Sequence, residues 1–360
     1  MRRNGASFEP NARPENPMTT ALLDAPASAS SYPSLHDVWQ TAARLAGRVL
    51  ETPVWRWQTG VVHERLAPAT EVWLKLELFQ RTGSFKLRGA LNVLASLEPH
   101  ALKRGVVAAS AGNHAMTVAY AARSVGAHAV VCMPRHASPA RIAACRADGA
   151  QVMLTDTVHE AFALAQQFVE QEGRTMIHPF DGPRTAEGTA TVGLELMQQV
   201  PDLDAVVVPV GGGGLCAGIA AAVKQLRPAC KVYGVEPYGA DAMYRSFEAG
   251  EPVRLEQVDT VADSLGAPYA LPYSYGVCRR FVDEIVRVSD DELCRAMHHL
   301  FRDMKLVAEP AAASATAALL GPLRQRLEGR RVGLIVCGSN IDSARFAELL
   351  QRGSGVQTSI

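Results

Sequence analysis

A lysine set in Thr82-Gly83-Ser84-Phe85-Lys86-Leu87-Arg88-Gly89-Ala90 is the residue of this sequence that most invites chemistry. It follows Val72, Leu74 and Leu76, an alternation that reads as a strand, and falls where the next helix begins. At such a junction the positive helix end and burial both depress an amine's pKa, favouring the free base that forms a Schiff base with a carbonyl carbon. The chain has six lysines among its 36 basic residues, and Lys86 alone stands in a Gly/Ser/Thr-rich junction. The plain alternative is an ordinary solvated lysine.

Three further junctions share that design. Gly211-Gly212-Gly213-Gly214-Leu215 follows the apolar run Ala205–Val210 and opens a helix near Leu215, so bare backbone N–H groups and a helix dipole make a phosphate cradle. The spacing is neither G-x-G-x-x-G nor a Walker loop; a tight turn that only packs helix on strand is the alternative. Ser110-Ala111-Gly112-Asn113-His114 opens another helix, able to hold a carboxylate on backbone N–H groups while Asn113 donates to a phenolate-like oxygen; simple N-capping by Ser110 is the bland reading, and His114 reads as structural. Cys337-Gly338-Ser339-Asn340 closes the last strand, at the carboxyl edge where open α/β sheets bind ligands, though a buried cysteine at a strand end is common.

The elements that must position these residues are legible as alternation. Ser34 with Asp37 resembles a capping box, and Val38, Ala42, Leu45 and Val49 recur at helical spacing. Short apolar runs at Val106–Ser110, Ala129–Met133, Gln151–Thr155, Thr175–Ile177, Ala205–Val210, Lys231–Val235 and Val332–Cys337 are each followed by a helical segment, which is α/β architecture with parallel sheets. Gly126, Gly149 and Gly173 fall where helix C-caps need positive φ, and Ser138-Pro139 offers an N-cap and first helical position. Two domains with a cleft are expected: a small one over residues 98–182, and a large one from 34–97 and 183–352, flanked by tails at 1–33 and 353–360. Met18 offers a second start within the first tail.

Composition narrows the function classes. With 48% apolar residues over 360 positions the chain can bury a sizeable core, and 36 basic against 36 acidic residues leave no field for a phosphate backbone, so no nucleic-acid partner is expected. The uncharged stretch Ala205–Val223 is interrupted by Pro209 and four glycines, so no membrane span is expected. Seven scattered cysteines without a C-x-x-C pair, and no signal-peptide h-region, suit a reduced cytoplasm.

Together the four junctions resemble the fold type II pyridoxal-phosphate (PLP) enzymes, most closely the threonine/serine dehydratases, over about Arg48 to Leu350. The resemblance implies two open, mainly parallel sheets with flanking helices. It implies that Lys86 holds PLP covalently, that Gly211 to Leu215 bind its phosphate, that Asn113 meets its O3′, that Cys337 faces its pyridine nitrogen and that Phe85 lies beside its ring. Ser110 to His114 would receive the amino-acid substrate, and His178-Pro179-Phe180-Asp181 looks like the family's cleft segment. A neutral group at the ring nitrogen favours prompt loss of a β-hydroxyl over transamination, giving a 2-oxo acid and ammonia, with the freed Lys86 amine taking the Cα proton. A PLP-dependent β-replacement synthase and a non-catalytic PLP-binding protein are the alternatives.

Several departures from the family pattern carry expectations. Glu187-Gly188-Thr189-Ala190-Thr191 stands where relatives read A-G-Q-G-T, so Ala190 and Phe180 are expected to alter the apolar lining, leaving threonine, serine, phenylserine or 3-hydroxyaspartate as substrates. Ala111 replaces the serine of serine racemases, so racemisation should be weak. A divalent cation would use Glu236 and the Ala240 carbonyl, but Ala242 stands where an acid is expected, with Asp241 offset. Only twenty residues follow Asn340, Asp342–Arg352 reading as a closing helix, so no separate regulatory domain, and hence no feedback by isoleucine or valine, is expected. A homodimer follows from the resemblance.

Overall fold

The computed structural model describes residues 32–355. The expectations for the N-terminal tail up to residue 31, Met18 included, and for residues 356–360 lie outside them. Ten strands among the described residues form two sheets. The larger has the order β1 (Val54–Trp57), β2 (Glu71–Lys75), β10 (Arg331–Ile335), β7 (Ala205–Pro209), β8 (Lys231–Pro237), β9 (Glu284–Val288); the smaller runs β5 (Gln151–Thr155), β4 (Ala129–Pro134), β3 (Val106–Ala109), β6 (Thr175–Met176). Of these strands only β1 is antiparallel to its neighbour. Every residue of β3, β4 and β7 is buried, as expected when helices cover both faces of a parallel sheet.

The predicted alternation holds, and Ala205–Val223 is a strand, a loop and a helix. The Ser34–Asp37 box caps the Leu35–Leu45 helix, and Gly126, Gly149 and Gly173 all sit at positive φ. Four details depart from the sequence reading. The first helix ends at Leu45, so Val49 lies beyond it, packed on the smaller sheet's core. Pro139 opens its helix, but the Ser138 hydroxyl leaves the helix N–H groups alone and donates to Asp342 Oδ1 across 3.0 Å. The closing helix is Ser343–Ser354, starting one residue and ending two residues later than expected, and a bare Gly353 lets it press on the Cys294 backbone. Strands β1 and β9 carry no clean apolar run: Trp55 and Arg56 are exposed at one edge of the larger sheet, and Glu284 and Arg287 interrupt the other.

One buried network fixes the helix that starts at Lys86 (Lys86–Ala95). Arg88, fully buried, donates to both oxygens of Glu77 (2.7 and 2.8 Å), both oxygens of Glu195 (2.5 and 2.8 Å), Thr191 Oγ1 and the Leu50 carbonyl. Lys75 Nζ, also buried, donates to Glu195, the Thr52 carbonyl and Gln199. Two cations thus face two carboxylates, with most donors matched to an acceptor, which is the condition for holding charge in a core. Burial would raise the Glu77 pKa, but the Arg88 guanidinium holds it below the usual carboxylate range.

Candidate active site

The carboxyl ends of β2, β3, β7 and β10 converge on one cavity of about 590 Å³ lined by Lys86, the Ser110–His114 turn, Gly211–Leu215 and Cys337. All four predicted junctions therefore meet in one place, where ligands of open α/β sheets bind.

Lys86 is the first residue of its helix, and its Nζ donates to the Pro179 carbonyl across 2.5 Å. Removal from water pushes the amine down to about 8, partly offset by Cys337 and Glu309. Beside it His114 and His178 are held at about 3, first by burial and then by Lys86, so both rings are neutral. His114 bonds through Nε2 to the Ile177 carbonyl (2.7 Å), while His178 Nδ1 accepts the Phe180 and Asp181 N–H groups, so both rings are structural partners of the cleft segment. Phe85 precedes the lysine, its N–H bonded to the Cys337 carbonyl, which ties this junction to the end of β10.

The glycine loop opens the Gly214–Leu226 helix, one residue earlier than the sequence suggested. Its glycines are demanded by contact and by backbone: a Cβ on Gly212 would lie 2.2 Å from the Phe180 ring and one on Gly214 2.1 Å from the Phe180 carbonyl oxygen, while Gly213 has φ +92°. Gly211–Leu215 line the cavity at the start of a thirteen-residue helix, the kind of place where backbone N–H groups can receive an anion.

At the Asn113–Ser124 helix, Gly112 rather than Ser110 is the N-cap; the Ser110 hydroxyl instead accepts the Gly112 N–H at 3.1 Å. Asn113 is buried, receives Asn340 Nδ2 on its Oδ1 (2.7 Å) and donates to Glu309. Cys337 is buried with its thiol pushed well above the ordinary range, chiefly by burial, and so stays neutral.

Ala190 is a correction. It faces away from the cavity and packs on Val38, Leu194 and Ala222, because it lies along the Pro183–Gln199 helix on the side facing the first helix; Phe180 does line the cavity. At the residues expected to hold a cation, the acidic side chains have partners within the protein. Glu236 accepts the backbone N–H groups of Met243 and Tyr244 and is pushed up to about 8 by burial, while the neighbouring Asp241 pairs with Arg245 and Arg287. Among the described residues no three His, Cys, Asp or Glu side chains gather as metal ligands.

Sequence reasoning missed several cavity residues. Glu309 is the foremost, a buried carboxylate just before Pro310, where it reads as an ordinary helix start. The cavity is also lined by Val158, Phe162 and Ala163 from one helix and by Arg254, Ser264 and Tyr269 from a long connection without apolar period. The Glu-Pro pair signals a helix start and not a cavity residue, and the connection offers no signal at all.

A phosphate cradle at one end of a cavity and a neutralisable amine within it define a class: enzymes that hold a phosphorylated aldehyde and use it on amines. The chain belongs to the pyridoxal-phosphate dependent enzyme family, whose model matches residues 47–338. It is 49% identical to a phenylserine dehydratase of Ralstonia pickettii over 90% of this chain and 98% of that protein, and 39% identical to an L-threo-3-hydroxyaspartate ammonia-lyase of a Pseudomonas species over 88% and 98%. The crystal structure of a threonine deaminase from T.th. superposes with a TM-score of 0.81 at 39% identity, covering 86% of this chain and 99% of that one. The fold is that of the fold type II PLP enzymes. The residues present fit the cofactor: the bare glycine loop has room only for backbone beside Phe180, and the Lys86 amine reaches the same cavity.

Proposed function

We propose that this chain, a PLP-dependent dehydratase of 3-hydroxy amino acids that forms a 2-oxo acid and ammonia, prefers a substrate with an aryl group on Cβ, of the phenylserine type. The observation that carries the preference is the cavity lining, where Val158, Phe162, Ala163, Phe180 and Tyr269 offer apolar and aromatic surface, with Phe180 and Tyr269 6.1 Å apart at 54°. Such surface suits a phenyl ring and gains little from the methyl of threonine. A second reading, 3-hydroxyaspartate, draws support from Arg254 in the same lining, a cation for a distal carboxylate.

We assign Lys86 to hold PLP and to take the Cα proton as a free amine, a role its lowered pKa favours at neutral pH. Gly211, Gly212, Gly213, Gly214 and Leu215 take the phosphate, Phe85 flanks the ring, Asn113 donates to the phenolic oxygen and Cys337 faces the ring nitrogen as a neutral thiol. When bound, PLP supplies an electron sink that labilises the bonds to Cα. The Ser110–His114 turn orients the substrate carboxylate with backbone N–H groups, and the Ala111 methyl leaves the opposite face without a proton donor. Glu236 and Asp241 already have internal partners, which supports work without a divalent cation. The two sheets support the division into residues 98–182 and 34–97 with 183–352. Seven buried free thiols suit a reduced cytoplasm, and a homodimer rests on resemblance. No helix among the described residues is long and apolar enough to cross a membrane.

The test is kcat/KM for phenylserine, threonine, serine and 3-hydroxyaspartate, measured as 2-oxo acid with and without an added thiol or indole. Preference for phenylserine, unaffected by the nucleophile, supports the proposal. Preference for threonine or serine overturns the aryl reading, and 2-oxo acid that gives way to a β-substituted amino acid when the nucleophile is added makes the chain a β-replacement synthase.

A further inference from the structure

Glu309 is a carboxylate that neither substrate binding nor the chemistry above uses. It is 2% exposed, yet it lines the cavity, and its side chain makes no cap for the helix it precedes. Instead both its oxygens accept from Asn113 Nδ2, at 2.9 and 3.0 Å. Its backbone N–H bonds to the Gly338 carbonyl, and a Cβ on Gly338 would sit 2.7 Å from Glu309 Oε1, so the carboxylate is pressed against the β10 terminus beside Cys337.

The hydrogen bonds form a directed chain. The Thr82 carbonyl can only accept, so it fixes the NH₂ of Asn340 (2.8 Å). The same NH₂ donates to Asn113 Oδ1 at 2.7 Å, which turns the Asn113 NH₂ toward Glu309 and the cavity. An acceptor at Glu309 holds one side of that NH₂, and its other contact is a long one to Ser264 Oγ at 3.4 Å.

We propose that Glu309 is a positioning residue which, as a carboxylate, locks the Asn113 amide with its N–H toward the cofactor's phenolic oxygen. Protonation of Glu309 places a donor against that NH₂ and releases the amide. The inference rests on PLP occupying the cavity.

The groups around Glu309 put its titration in the working range. Burial and Asp263 raise its pKa, against the Asn113 bond, Arg141 and Ser264, and the net position is about 7. Arg141 ties Asp263 (2.8 Å) and the Asn340 carbonyl (2.7 Å) into the same cluster, while Lys86 and Cys337 face it across the cavity. Glu309 is therefore expected to be largely ionised at pH 8 and largely protonated at pH 6.

The experiment is PLP titration of apoprotein, followed by absorbance at pH 6 and pH 8, in wild type, Glu309→Gln, Glu309→Leu, Asn113→Ala and Asn113→Ala/Glu309→Leu. Wild type is read first: no PLP binding there removes the underlying reading rather than the role of Glu309. Glu309→Leu is expected to weaken PLP about tenfold at pH 8, the scale of one hydrogen bond to a charged group. Glu309→Gln, which like the protonated acid presents a donor beside one acceptor and does not titrate, should bind PLP at pH 8 about as weakly as wild type does at pH 6 and show a smaller loss than wild type on moving to pH 6. The double variant should be no weaker than Asn113→Ala alone. Wild-type affinity and spectrum in Glu309→Leu, or additive losses in the double variant, would overturn the proposal. Should Glu309→Leu fail to fold, the Glu309→Gln profile decides: a pH dependence equal to wild type refutes it.

Discussion

Replacing Arg88 by Met removes the one guanidinium shared by Glu77 and Glu195, beneath the helix that presents Lys86. Glu195 keeps Lys75 at 2.7 Å and is partly exposed, but Glu77 is fully buried and is left with the Thr52 hydroxyl as its named side-chain partner. Breaking a buried pair from one side costs about 3–5 kcal/mol, because a charge is stranded. With an unfolding entropy of about 2.1 cal/mol/K per residue, that corresponds to a fall in Tm of about 4–7 °C for a chain of this size. The sign with pH is also fixed. In wild type Glu77 is held below its unfolded pKa, so its contribution is present above the unfolded value and lost as pH falls through the folded one. Without Arg88, burial alone raises the Glu77 pKa, so the variant's deficit should grow between pH 5 and pH 8. Thermal unfolding followed by circular dichroism at both pH values reads this, and Glu77→Gln in the Arg88→Met background should recover part of the loss. A fall in Tm of under 1 °C at pH 8, or equal deficits at both pH values, would refute the reasoning.

Gly212→Ala puts a methyl into the Phe180 ring and should weaken PLP about tenfold or more, equivalent to about 1.4 kcal/mol, by titration of the apoprotein; unchanged affinity would remove the loop from the cofactor site. In the apoprotein, the Lys86 pKa near 8 lies below its unfolded value of 10.5, so folding stability should rise with pH between about 8 and 10.5, and Lys86→Met should flatten that rise in denaturant midpoints. Phe162→Ala should cut the kcat/KM advantage of phenylserine over threonine by about tenfold or more, the worth of an apolar contact in a specificity pocket; an unchanged ratio places the ring elsewhere. Ala111→Ser should increase Cα proton exchange into solvent with retention of the amino acid, read by loss of optical rotation, whereas no change would show that the missing donor does not limit racemisation.

The sequence made the site legible wherever chemistry and chain punctuation coincide. Four strand-to-helix junctions, each marked by Gly, Ser or Asn, carry Lys86, Asn113, the glycine loop and Cys337, and all four reach the cavity because parallel strands end on one edge. Glu309 escaped because nothing local separates a helix-start glutamate from one that turns back toward Asn113, 196 residues away in sequence. Ala190 misled for the opposite reason: it is close to the cleft segment in sequence, but the Pro183–Gln199 helix turns it onto Val38. Strands β1 and β9 were missed because edge strands carry exposed tryptophan and charge, which erases the apolar run that marks central ones. The connection from Arg254 to Tyr269 is irregular, and its contribution to substrate choice becomes visible only once the chain is folded.

The most direct measurement is ammonia and 2-oxo acid release from phenylserine by the PLP-loaded protein, in wild type and in Lys86→Ala. Equal amounts of both products from wild type, with no added nucleophile, and loss of turnover together with the borohydride-reducible lysine adduct in Lys86→Ala, are expected. Turnover that survives in Lys86→Ala, or a wild-type protein that binds PLP and releases no ammonia from any 3-hydroxy amino acid, would contradict it.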